Sequence, residues 1–213
     1  MSAFPQPLKS RAVPLLRDNI DTDTIIPSRE MRSTGRTGLA DGMFAPWRYR
    51  DADTRLENPD FALNQPAYRD ATIIAAGSNF GCGSSREHAV WALGEYGIKA
   101  IIATSFAPIF RGNCIRNFIL PVTLRRAVVQ AIAGREVSID LASLTLTCGV
   151  HQHTFALEAE AHQMLLHGLD AIDLTLQHQP EIDHWTIADR KARPWGYDLP
   201  PRIGTPAQEP LSP

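Results

Sequence analysis

Apolar positions along the chain follow two periods, and the clearest unit spans residues 71–104. "ATIIAAG" is an apolar run of strand length with β-branched residues, which predicts a buried strand. After a glycine-rich turn, Ala89, Ala92, Leu93 and Tyr96 fall at i, i+3, i+4 and i+7, one face of a helix. Ser84 and Glu87 have the S-x-x-E spacing of a capping box, and Gly97 supplies a helix stop. "KAIIAT" is the next strand. Strand, helix and strand in that order predict a right-handed crossover between parallel strands.

The flanks are less regular. Residues 13–27, "VPLLRDNIDTDTIIP", predict a short strand, a polar Asp/Thr turn and a second apolar run. From Ser28 to Asp70 the period is lost in a mixture of Arg, Gly, Pro and aromatic residues. A compact domain rarely keeps so long an irregular stretch unless it is a lid or binding loop. Its aromatic and Met content argues against disorder. Residues 105–118 predict a short helix entered at Pro108. "ILPVTL" is a strand; "EVSIDL", "SLTLTC" and "HTFALE" alternate as antiparallel strands do, with Gly149 in the last turn. The segment from Glu160 to Asp183 is helical with a break near Gly168, and from Pro194 the chain is Pro-rich, as a loose tail is. No internal repeat is present.

Composition narrows the classes. The 213 residues suit a single domain with trimmings, and 44% hydrophobic with 21% charged content is ordinary for a globular protein. A net charge of −2 gives no field that would draw the chain to nucleic acid or to a membrane. No apolar run approaches the ~18 residues of a membrane span. The N-terminus lacks the apolar core of a signal peptide, so the cytoplasm is the expected compartment. Cys82, Cys114 and Cys148 are odd in number, widely spaced and without C-x-x-C, which argues against a disulfide framework or a metal site made by this chain alone.

The stretch "GSNFGCGSSREHAVWAL" at 77–93 is the candidate for chemistry. It has no lysine for a P-loop, an arginine where a dinucleotide fingerprint needs its third glycine, and no G-x-S-x-G elbow. Cys82 and His88 form a weaker alternative as thiol nucleophile and base. Glycines let a ligand approach backbone N–H groups at a helix start, and arginine grips a carboxylate through two bonds. Ser84, Ser85 and Arg86 therefore suggest a carboxylate site flanked by hydroxyls. The plainer possibility is a capped helix whose serines only satisfy backbone donors.

These residues resemble the signature of the small subunits of 3-isopropylmalate dehydratase, in the aconitase superfamily. The likeness extends in order through "DNIDTDTIIP" (18–27), "GRTGLADGMFAPWRY" (35–49), "NPDFALNQP" (58–66), "TSFAPIFRGNCIRN" (104–117), "LPVTL" (120–124) and "GLDAIDLTLQH" (168–178), covering roughly residues 10–185. "AGSNF" and "HAVWAL" depart from the commonest family wording, and the Pro-rich C-terminus matches no family motif. The resemblance implies an α/β fold, the aconitase swivelling domain of β/β/α type. It would form one domain over residues 1–193, with a lid-like insertion at 28–70, a C-terminal helical segment and a tail at 194–213.

The resemblance also implies a separate large subunit carrying a [4Fe–4S] cluster, in a heterodimer or heterotetramer, with no cofactor bound by this chain. The implied reaction is isomerisation of 2-isopropylmalate to 3-isopropylmalate through isopropylmaleate, in leucine biosynthesis. Ser84 corresponds to the base that takes the proton from carbon. Ser85, Arg86 and Arg36 would bind the small dicarboxylate substrate. Asp21 and Asp23 would form a turn and support the site, and His88 would support it from the helix. Within 28–70, Met31, Leu39, Met43, Phe44 and Trp47 would offer an apolar patch to the isopropyl group, while most of the arginines, Arg29, Arg32, Arg48, Arg50 and Arg55 among them, would be solvated. A related hydratase acting on citraconate, dimethylmaleate or another substituted malate is the alternative within the class, and a free-standing carboxylate-binding module the alternative outside it. His151, His153, His162, His167, His178 and His184 have no spacing that makes a ligand set.

Overall fold

The computed structural model describes residues 4–31, 35–51 and 53–197. From the N-terminus run β1 (Leu8–Leu15), the one-turn helices α1 (Thr22–Ile25) and α2 (Ala45–Arg48), and the hairpin strands β2 (Tyr49–Asp51) and β3 (Leu56–Glu57). Then come β4 (Ile73–Ala76), α3 (His88–Tyr96), β5 (Ala100–Ala103), α4 (Pro108–Arg116), β6 (Leu120–Thr123) and α5 (Arg126–Ile132). β7 (Glu136–Asp140), β8 (Thr145–Cys148), β9 (His151–Thr154) and α6 (Ala159–His167) complete the first of two compact units, Met1–Asp170. The second, Ala171–Pro213, contains α7 (Ala171–Leu176) and α8 (Gln179–Ala192), with Asp189 accepting from the Tyr197 hydroxyl at 2.7 Å. The Pro-rich tail lies outside the described residues from position 198 on, as does Arg32. Among the described residues no helix is long and apolar enough to cross a membrane.

Seven strands form one sheet in the order β6-β5-β4-β1-β7-β8-β9. β1, β4, β5 and β6 are parallel, and β1 meets β7 antiparallel. β1 divides its length between the two halves: Leu8–Arg11 pair with β7 and Ala12–Leu15 with β4. This division explains a proline inside a central strand. The Ala12 N–H turns to the Arg135 carbonyl at 2.8 Å, so the N–H that Pro14 lacks would point the same way, past the end of β7. Pro121 is tolerated because β6 is an edge strand.

The unbroken apolar runs of β4 and β5 follow from burial on both faces. Ile73, Ala75, Ala100 and Ile102 belong to one core, with α5, α6 and β7–β8; Ile74, Ala76, Ile101 and Ala103 belong to the other, with α3 and residues from 20 to 71. The predicted strand–helix–strand crossover and the helix entered at Pro108 are both present. Two expectations differ in detail. The last antiparallel strand is His151–Thr154, with Phe155 beyond its end, because Gly149 (φ +60°) makes a short turn that brings His151 opposite Cys148. The Asp/Thr segment forms α1, whose Thr24 N–H donates to the Asp21 carboxylate at 2.6 Å.

The long irregular segment is a wall of the second core. Leu39, Met43, Phe44, Phe61 and Leu63 are buried in it, and Phe44 stacks on Trp47 at 5.7 Å. Leu39, Met43 and Phe44, expected as an apolar patch for substrate, are thus committed to packing. Irregular backbone survives there because side chains replace a ladder. Buried Asn64 donates to the carbonyls of Arg48 (2.6 Å) and Asn58 (2.9 Å), and Asn58 donates to that of Trp47 at 3.1 Å. Phe44→Ala should therefore lower unfolding free energy by about 3–5 kcal/mol in urea titration. A lid free of the core would lose less than about 1 kcal/mol.

Candidate active site

The glycine-rich loop begins where β4 ends, yet it does not leave the sheet. The Gly77 N–H donates to the Arg17 carbonyl (3.2 Å), Asn19 to Ser78 (2.8 Å), Gly81 to Ile20 (2.7 Å) and Thr22 to Cys82 (2.9 Å). On the other side Thr104 donates to Gly77 (3.1 Å), Phe80 to Ser105 (3.0 Å) and Ala107 to Phe80 (3.0 Å). The loop is therefore laced to the chain following β1 on one side and to the chain following β5 on the other. It lies at the carboxyl ends of the parallel strands, where open α/β sheets place ligands.

Side chains reinforce the lacing. The Asp18 carboxylate accepts the Ser78 N–H at 2.7 Å and Arg126 at 2.9 Å, and these bonds, Ser78 first, pull its carboxyl down to about 2. Asn79 donates to the Asn19 side chain at 2.8 Å, and both residues are left-handed at φ +56°. Gly81 is required twice over: its φ is +76°, and a Cβ there would lie 2.0 Å from the Phe110 ring.

The laced segment delivers Ser84 and Ser85, both exposed, to a cavity of about 210 Å³. Thr22, Ser84, Ser85 and Arg86 form a polar wall; Pro108, Ile109 and Phe110, at the start of α4, form an apolar one. The Thr22 hydroxyl donates to the Ser84 carbonyl at 3.0 Å, which ties α1 to the serine. Arg86 is paired with Asp23. Asp21, one residue before Thr22, caps α1. The His88 ring lies 4.7 Å from that of Trp91, and the Arg36 guanidinium sits 5.1 Å from the centroid of the same Trp91 ring; neither His88 nor Arg36 is among the residues that line the cavity.

The capping box is not formed. α3 starts at His88 after Glu87, with no side-chain cap, because the Glu87 carboxylate is taken by Asn117, whose amide donates to it at 2.7 Å. Ser84 is left outside the helix. The helix whose first turn borders the cavity is α4, and its wall residues went unrecognised as site residues. Pro108, in the position that opens a helix, was the available signal.

The thiols do not fit a cluster-binding set. Cys114 and Cys148 are buried and Cys82 is half-exposed, and burial pushes the Cys114 thiol far up. Among the described residues no group of three or more His, Cys, Asp or Glu is placed to hold a metal ion.

The Aconitase C-terminal domain family matches residues 6–127, from the start of the sheet into α5 and including both cavity walls. A 3-isopropylmalate dehydratase small subunit from Cupriavidus necator is 54% identical over 193 residues, 86% of this chain and 93% of that one. The chain belongs to the aconitase C-terminal domain family. A second small subunit of the same name, from Neisseria meningitidis serogroup C, is 44% identical across 92% of this chain and 98% of its own. The solved 3-isopropylmalate dehydratase structure from Methanocaldococcus jannaschii superposes with a TM-score of 0.64 at 29% identity, over 85% of this chain and 99% of that one. The family resemblance and its α/β fold thus agree with what the sequence motifs implied.

Two outcomes test the lacing. Gly81→Ala should destabilise by about 3 kcal/mol through the ring clash and the left-handed backbone, measured by urea unfolding. The Asp18 carboxyl is depressed in the fold, so its stabilisation is complete above the ordinary carboxylate pKa of 3.8 and disappears as pH falls toward about 2. The thermal midpoint of wild type should fall across that window, and Asp18→Asn should start lower and lose less.

Proposed function

We propose that this chain is the small subunit of 3-isopropylmalate dehydratase, a hydro-lyase completed by a large subunit. The observation that carries the reading is the serine pair held by a laced loop beside Arg86, facing an apolar wall across a small cavity. A substituted malate has the same two sides, carboxylates and a hydrocarbon branch. Ser85 and Arg86 would receive carboxylate, with Asp23 holding the guanidinium in place until substrate arrives. Ser84 Oγ would take the proton from carbon as hydroxide departs from the neighbouring carbon, that proton and hydroxide together making up the water lost, and water would add back with the positions of hydrogen and hydroxyl exchanged. The [4Fe–4S] cluster proposed for the large subunit would supply a Lewis acid when bound.

A serine hydroxyl is a poor base in water, and each unit of pKa depression requires about 1.4 kcal/mol. A helix N-terminus contributes at most ~2 kcal/mol. Ser84 is not at the start of α3, so that contribution is smaller still. The remainder must come from positive charge in a site closed against water, which is consistent with the exposure of Ser84 in the chain alone. The isolated chain should accordingly be inactive.

Reconstitution with a cluster-loaded large subunit, followed by isopropylmaleate absorbance, tests this. 2-Isopropylmalate should turn over better than citraconate or dimethylmaleate, and Ser84→Ala should lower kcat by about 10²–10⁴-fold. Preferred turnover of another acid would overturn the substrate assignment, and an active Ser84→Ala complex would overturn the base.

A further inference from the structure

Arg36 lies in the irregular segment, far from the serine loop in sequence, yet α3 holds it. The Glu95 carboxylate accepts three consecutive backbone N–H groups, from Gly38 (2.7 Å), Leu39 (2.6 Å) and Ala40 (2.9 Å). Consecutive N–H groups converging on one anion form a nest, and Gly38 at φ +81° supplies the left-handed residue it needs. A Cβ at Gly38 would meet nothing within 4 Å, so the glycine serves the backbone conformation and not a close approach. Desolvation pushes the Glu95 carboxyl up, but the three N–H donors outweigh it and hold it below the ordinary value.

Trp91 stands four residues before Glu95, on the same face of α3. Its ring is fixed by Nε1, which donates to Asn117 Oδ1 at 3.0 Å, and by His88 at 4.7 Å. The Arg36 guanidinium lies over that ring at 5.1 Å. Both the backbone just after Arg36 and its charged end are therefore seated on one helix face. This helix begins two residues after Arg86 and follows directly from the serine loop.

We propose that Glu95 and Trp91 are positioning residues for Arg36: Glu95 fixes the backbone of 38–40 and Trp91 the guanidinium, so α3 carries both the serine loop and a second substrate-binding arginine. The inference rests on the reading of Arg36 as a residue that binds substrate carboxylate. It explains why an exposed glutamate is spent on backbone N–H groups. It also makes the geometry of the irregular segment depend on the helix that follows the serine loop.

The test uses the reconstituted complex and 2-isopropylmalate. Glu95→Gln should raise KM about tenfold with a smaller effect on kcat, and should speed amide exchange at Gly38, Leu39 and Ala40 at least about tenfold. Added to Arg36→Ala, it should change KM no further, since a residue acting through Arg36 has nothing left to position. Trp91→Leu leaves the Glu95 bonds in place and should raise KM about threefold, and it serves if Glu95→Gln folds poorly. Equal losses from Glu95→Gln with and without Arg36→Ala would overturn the positioning role and leave a purely structural one. Unchanged KM and exchange in Glu95→Gln would overturn it as well. A normal KM for Arg36→Ala alone would instead remove the reading of Arg36, and the proposal with it.

Discussion

Three neighbouring strands stop at Leu15, Ala76 and Ala103, but their backbones go on hydrogen-bonding for several residues more. Everything at the cavity depends on that continuation. A glycine-rich loop is entropically expensive to order, about 1–2 kcal/mol per residue of backbone. Here the donors and acceptors of the loop find partners on both sides, so its order is an extension of the order of the sheet. The αL residues Asn19 and Asn79 and the close approach of Gly81 to Phe110 are tolerated because the surrounding bonds leave no alternative path.

The second constraint is the core beneath. β4 and β5 are apolar on both faces, and one of those faces is covered by α3 and α4 together with a segment of little regular structure. Such a cover works only if its backbone polar groups are satisfied. Asn58 and Asn64 do this from within the segment, and Glu95 does it from α3. One of them, Glu95, also holds the backbone just after Arg36 against the helix leading from the serine loop. On the proposed reading of Arg36, packing and binding geometry are coupled through Glu95.

Much of this was legible in the sequence where the information is local. The runs "ATIIAAG" and "KAIIAT" and the spacing of Ala89, Ala92, Leu93 and Tyr96 specify strand, helix and strand, and the structure has them. The cluster of glycines reads in sequence as room for a ligand at a helix start, whereas Gly81 takes the close approach of the Phe110 ring. What was not legible depends on partners distant in the chain. Ser84 and Glu87 have the spacing of a capping box, but Asn117, thirty residues on, claims the glutamate. The arrival of α4 as the apolar wall needs the topology of β5, which no local pattern displays. The burial of Leu39, Met43 and Phe44 is invisible to periodicity because the segment has no period.

The loop is ordered in this chain before any partner meets it. Amide hydrogen exchange of the isolated chain reads that order directly at Gly81 and Thr22, whose N–H groups donate to Ile20 and Cys82. Protection of both amides comparable to that of β4 and β5 is expected, with little change when the large subunit binds. Exchange at the rate of an open loop, with protection gained only in the complex, would contradict the claim and make the site a product of assembly.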